Sequence, residues 1–81
     1  MRLSRDLHGL DLARALNRFG YQITRQTGSH IRLSSTYKGP QHHVTIPAHN
    51  PLKIGTLSQI LTDVASYLEI PREQLLKDLF S

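Results

Sequence analysis

The sequence predicts an α+β fold: a helix, three antiparallel strands and a second helix, followed by a short C-terminal helix. Apolar residues recur at helical spacing in two segments, within 10–19 and within 57–68. Between them, three short segments alternate apolar and polar residues at the period of a strand. Turn signals separate these segments by too few residues for a parallel crossover, so the strands form an antiparallel meander. Both main helices are then expected on one face of the three-stranded sheet.

The first helix is "LDLARALNRF", residues 10–19. Leu12, Leu16 and Phe19 share one side with Ala13 beside them, and Gly20 follows where a left-handed residue costs least. "YQITRQ" begins the strands, with Tyr21 and Ile23 on one side and Gln22 and Thr24 on the other. Gly28-Ser29 is a turn signal. "HIRLSS" alternates again, with Ile31 and Leu33 inward. Gly39-Pro40 in "YKGPQ" continues neither a helix nor a central strand. "HHVTIP" is the third strand, with Val44 and Ile46 inward and Pro47 at its end.

After the extended "AHNPLKIG", the spacing of Leu57, Ile60, Leu61, Val64 and Leu68 predicts the main supporting helix. Thr56 and Gln59 form a capping-box pattern at its start. Pro71 opens the last helix, whose apolar side is Leu75, Leu76, Leu79 and Phe80.

A chain of 81 residues implies a single domain, residues 1–81. With no cysteine, a disulfide framework and a Cys-based zinc site are excluded. No apolar run approaches the ~18 residues of a membrane span, and "MRLSRDLHGLDL" has no signal-peptide core. The expectation is a soluble, cytoplasmic protein without a membrane partner. The net charge of +4 is unevenly placed. Residues 1–54 hold eight Lys/Arg, two acids and all five histidines, whereas residues 55–81 hold two bases against four acids. Such asymmetry points to a polyanion, usually nucleic acid, as partner of the N-terminal two-thirds.

His30 stands at the start of a strand in "RQTGSHIRL". With Ile31 and Leu33 inward, His30 and Arg32 point away from the core, as do His43 and Thr45. Arg25 and Arg32 bracket His30 in sequence. His42 and His43 point to opposite faces and cannot chelate one ion together, and no H-x-x-x-H or H-E-x-x-H spacing occurs. No metal and no cofactor is expected. Gly28, Gly39 and Gly55 are isolated, so there is no Gly-rich phosphate loop. Ser29 and His30 diverge as neighbours, which disfavours a Ser-His-Asp triad.

Taken in order, "ALNRFGYQITRQTGSHIRL", "HHVTIPAHNPLKIGTLSQIL" and "DVASYL" resemble the HicA (YcfA-like) toxin family. The resemblance covers about residues 8–68 and leaves 69–81 as a helical extension. The loop "STYKGPQH" departs from the family's usual short turn. The resemblance implies a fold similar to a double-stranded RNA-binding domain. It also implies an mRNA interferase activity that depends on the Gly-Ser-His histidine, here His30, and a HicB-like antitoxin partner. Assembly is then expected as a toxin–antitoxin hetero-oligomer or a homo-oligomer.

RNA carries its own nucleophile, the 2′-OH, and a base that removes its proton lets it attack the adjacent phosphate without a metal. Histidine suits that task because its ordinary pKa lies near neutrality. His30 is the expected catalytic residue, with Arg25, Gly28, Ser29, Arg32 and Lys53 as RNA-binding residues. His49 and His43 are candidates for a second proton-transfer group. One rival reading is a non-catalytic module that binds duplex RNA by shape. Such modules carry a Lys-rich cluster at the last core helix, where this chain has only Lys53. A second rival is a family member that has lost its activity and only pairs with a partner; the intact Gly-Ser-His speaks against it.

Overall fold

The computed structural model describes residues 8–48 and 52–80. In chain order these form α1 (Gly9–Leu16), a 3-10 turn (Asn17–Phe19), β1 (Gln22–Thr27), β2 (His30–Ser35), β3 (His42–Pro47), α2 (Ile54–Leu68) and α3 (Arg72–Phe80). The sheet order is β1-β2-β3 with both pairings antiparallel. This is the α+β architecture expected from the periodicities.

Alternation along β2 and β3 buries Ile31, Leu33, Val44 and Ile46 on one face. Against it pack Leu12 and Leu16 of α1 and the stripe Leu57, Ile60, Leu61, Val64 and Leu68 of α2. Leu75 and Leu79 of α3 join the same cluster. Each fully buried aliphatic side chain contributes about 1.5–3 kcal/mol before entropy is charged. The first helix tightens into its 3-10 turn before Gly20, whose φ of 78° closes it. Tyr21 follows at once and is fully buried. The last helix starts as expected, the Pro71 carbonyl accepting from the Leu75 amide at 3.1 Å.

Two local expectations are corrected. Helix α2 begins at Ile54, with Lys53 as its N-cap and no side-chain cap. Thr56 therefore lies inside the helix, and Gln59 donates to Asp63 one turn on instead of closing a capping box. Ile23 lies on the side of β1 that faces the helices but is 48 % exposed, because β1 is an edge strand that the helices do not cover there.

The irregular loop between β2 and β3 is tied down by aromatic side chains. The Tyr67 hydroxyl donates to the Pro40 carbonyl at 2.6 Å and accepts from the Lys38 amide at 3.0 Å. The His42 ring stacks on Tyr67 with centroids 4.6 Å apart, and its Nδ1 is hydrogen-bonded to the Tyr21 hydroxyl at 2.6 Å. Burial holds the His42 imidazole below the ordinary histidine value, outweighing the opposing effect of Asp63, with His43 adding to the depression. Burial, with Tyr67 and Asp63 adding, pushes the Tyr21 hydroxyl well above its usual range, so it stays protonated.

The sign of the linkage follows. The folded pKa of His42 lies below its unfolded value of ~6.5, so the unfolded chain binds the proton more readily. Stability is complete above about pH 6.5 and is lost as pH falls from there through the folded pKa. Thermal melts between pH 7.5 and 5 should show a declining Tm, and His42→Gln should flatten that part of the profile. An unchanged slope in the variant would remove His42 as its source.

Candidate functional site

The face of the sheet turned away from the helices is a polar surface built by register. Three rows cross it. Gln22, Ser34 and His43 form the first, Arg25, Arg32 and Thr45 the second, and Thr27, His30 and Pro47 the third. The chain has no Asp or Glu between Asp11 and Asp63, so this face carries no acid.

His30 opens β2 directly after the Gly28-Ser29 turn and is exposed. Gly28 has a φ of 50°, a left-handed conformation that a side chain would strain. The Ser29 carbonyl accepts from the Ala48 amide at 2.7 Å, which ties the end of β3 to the turn before His30. The backbone that carries His30 is thus held on both sides, while its side chain is exposed and has no hydrogen-bond partner among the described residues.

Arg25 reaches this face only because β1 is irregular. Strict alternation from Tyr21 and Ile23 would turn Arg25 toward the helices. The pairing with β2 shifts between Ile23 and Arg25, leaving Thr24 without a partner and setting Arg25 directly opposite Arg32. Such bulges re-aim side chains and are common beside functional sites. Two like charges directly opposite on a sheet repel and destabilise it.

The bulged Thr24 joins a hydrogen-bonded chain that the sequence did not reveal. Its Oγ1 lies 3.2 Å from Ser34 Oγ, which lies 2.5 Å from His43 Nδ1. The outward position of Ser34, two residues beyond Arg32, was readable from the alternation. Its pairing with His43 needs the register, and Thr24 needs the bulge.

The structure brings His30, Arg25 and Arg32 together at neighbouring rows. His43 lies in the row of Ser34, four residues along β2 from His30, a separation of ~13 Å at 3.3 Å per residue. Lys53 caps α2, in the helical layer and outside the three rows. His49 lies outside the described residues. Among the described residues no three His, Asp or Glu side chains converge as metal ligands. No described helix is long and apolar enough to cross a membrane.

If the arginine pair is kept for binding rather than for stability, removing one member should stabilise the free protein. Arg25→Gln should raise stability by about 0.2–1 kcal/mol in low salt, measured by chemical denaturation. A loss of stability would mean that the pair is held by something other than its charges.

A model of the HicA toxin family of bacterial toxin–antitoxin systems matches residues 9–65. No curated protein and no solved structure gives a significant match. The family match runs from the first residue of α1 into the fourth turn of α2, leaving α3 outside it. It takes in the whole sheet and the polar face with His30. More than half of the chain is covered, and the protein belongs to the HicA toxins of bacterial toxin–antitoxin systems.

Proposed function

We propose that this toxin is an endoribonuclease, an mRNA interferase in which His30 is the proton-transfer residue and Arg25 and Arg32 hold the RNA backbone. The observation that carries the reading is the juxtaposition of an exposed His30 with a facing arginine pair on a sheet surface free of acids. A paired cationic site next to an unencumbered imidazole suits a phosphodiester. Arginine forks match phosphate oxygens, and the repulsion between the two guanidinium groups is relieved when a phosphate lies between them.

The chemistry uses the substrate's own nucleophile. His30 takes the proton of the 2′-OH, and the 2′-oxygen attacks the adjacent phosphorus. The bond from phosphorus to the 5′-oxygen breaks, leaving a 2′,3′-cyclic phosphate on one fragment and a 5′-OH on the other. The proton needed by the 5′-oxygen comes from water or from His49. A separation of ~13 Å between their rows argues against His43 serving the same phosphate as His30. Gly28 and Ser29 contribute the turn that lets a backbone approach His30 closely. Lys53, at the start of α2, adds charge for a more distant phosphate. The partner is a HicB-like antitoxin that blocks this face. The reaction takes place in the cytoplasm, where mRNA is the target.

Purified protein incubated with single-stranded RNA in EDTA should yield fragments, and His30→Ala should slow the reaction by about 10²–10⁴-fold with its melting temperature preserved. A variant that melts far below the parent would make His30 structural instead. Binding to a non-cleavable 2′-deoxy strand checks the arginines separately. Removing either Arg25 or Arg32 should reduce the slope of log K against log salt by about 0.7. An unchanged slope would place that arginine outside the interface.

A further inference from the structure

The end of the polar face farthest from His30 is built differently from the rest. Gln22, Thr24, Ser34, Thr36 and Gln41 line a shallow depression of about 280 Å³, sized for one small planar group and smaller than most drug-sized ligand pockets. Its lining holds amides and hydroxyls and no formal charge. His43 stands at its border through its bond to Ser34.

One polarity of the hydrogen-bonded chain has the Thr24 hydroxyl donating to the Arg32 carbonyl, 3.4 Å away, which only accepts. Thr24 Oγ1 then accepts from Ser34, and Ser34 Oγ accepts from His43. In that polarity His43 carries its hydrogen on Nδ1, which leaves the Nε2 lone pair of the neutral ring for a ligand. The chain spends the hydroxyls of Thr24 and Ser34 on orienting this ring. What remains for a ligand is an acceptor nitrogen and the two glutamine amides, each of which offers donors and an acceptor.

We propose that this depression is a base-reading subsite of the RNA-cleaving face. It takes one nucleobase of the single strand, a nucleotide or two from the phosphate cut at His30. It reads the edge of that base through Gln22, Gln41 and His43 Nε2. The inference rests on the ribonuclease reading and adds a sequence preference to it. The Arg25–Arg32 pair lies between the two ends of the face, so a strand gripped there reaches both. An uncharged set of mixed donors and acceptors fits a base edge and not a phosphate. The outward rows hold no Trp, Tyr or Phe, so the rows read a base through hydrogen bonds, while the exposed Tyr37 stands beside Gly20 at the rim of the depression. Ser34 and Thr24 are positioning residues, acting through His43.

The test is cleavage-site mapping on an RNA pool randomised around a fixed core, with wild type, Gln22→Ala, Ser34→Ala and His43→Phe. Wild type should show a base bias of at least about fivefold at one fixed offset from the cut. Gln22→Ala, on an exposed edge strand where folding is not at stake, should lower that bias at least threefold and leave biases at other offsets standing. His43→Phe should do the same. Imidazole ¹⁵N spectra should show His43 protonated at Nδ1 in wild type and shifted toward the Nε2–H form in Ser34→Ala, an effect that mere loss of packing would not produce. A wild type that cuts with no bias, or variants that keep it, would overturn the subsite. Variants that keep the bias but lose antitoxin binding would assign the depression to a protein contact instead. A wild type that cuts no RNA would overturn the ribonuclease reading and this subsite with it, a result visible before any variant is compared.

Discussion

The central strand β2 is hydrogen-bonded along both edges, and its register is the constraint on which the rest of the molecule depends. Ile31 and Leu33 are fully buried against the helices, and their alternation sends His30 and Arg32 to the opposite face. A slip by one residue would bring His30 and Arg32 into an apolar core and expose the aliphatic pair. The aliphatic burial forfeited is about 1.5–3 kcal/mol per side chain. Desolvating an unpaired guanidinium costs several kcal/mol more. Both terms have the same sign, so core packing selects the register, and the register assembles the polar face.

That face is not optimised for the stability of the free protein. Arg25 opposes Arg32 where an acid or an apolar residue would serve the sheet better. The bulge at Thr24 interrupts the ladder with β2 to make this pairing. Edge strands tolerate such irregularities because only one of their sides is paired. The helical layer supplies the compensating stability through α2, whose apolar stripe is buried along its length. The division of labour is spatial: helices and inward side chains hold the fold, and outward side chains are free to be arranged for binding.

Much of this was legible in the sequence because it depends on local periodicity. Three strands, the Gly28-Ser29 turn, the α2 stripe and the outward aspect of His30 and Arg32 follow from residues read two, three or four apart. Features that depend on a second strand were not legible. Nothing in "YQITRQ" announces that the pairing shifts between Ile23 and Arg25, because the shift is a relation to β2. The partnership of Ser34 with His43 has the same origin. The start of α2 differs from the sequence expectation for another reason. Thr56 and Gln59 have capping chemistry, but the apolar packing of Leu57 and Ile60 is compatible with a helix that starts earlier, and Gln59 has an alternative partner in Asp63. The extent of Ile23 exposure reflects how far the helices reach across the sheet, which no local pattern encodes.

The acid-free run from residue 12 to 62 has a consequence for how the molecule meets other molecules. Among the described residues, the helices and their caps carry five bases and five acids, whereas the sheet and its connections carry Arg25, Arg32 and Lys38 and no acid. Lys38 pairs with Glu69 at 3.9 Å, so the uncompensated charge is that of Arg25 and Arg32 on the outward face of the sheet, which gives the protein a permanent electric dipole directed from the helical layer to that face. Near any polyanion the molecule experiences a torque that turns the sheet forward before contact is made. Orientation is accomplished in the approach, within about a Debye length of ~8 Å at physiological ionic strength. The same torque acts whether the polyanion is a nucleic acid or an acidic protein surface, so a competitor need only present negative charge to arrive at the same face first.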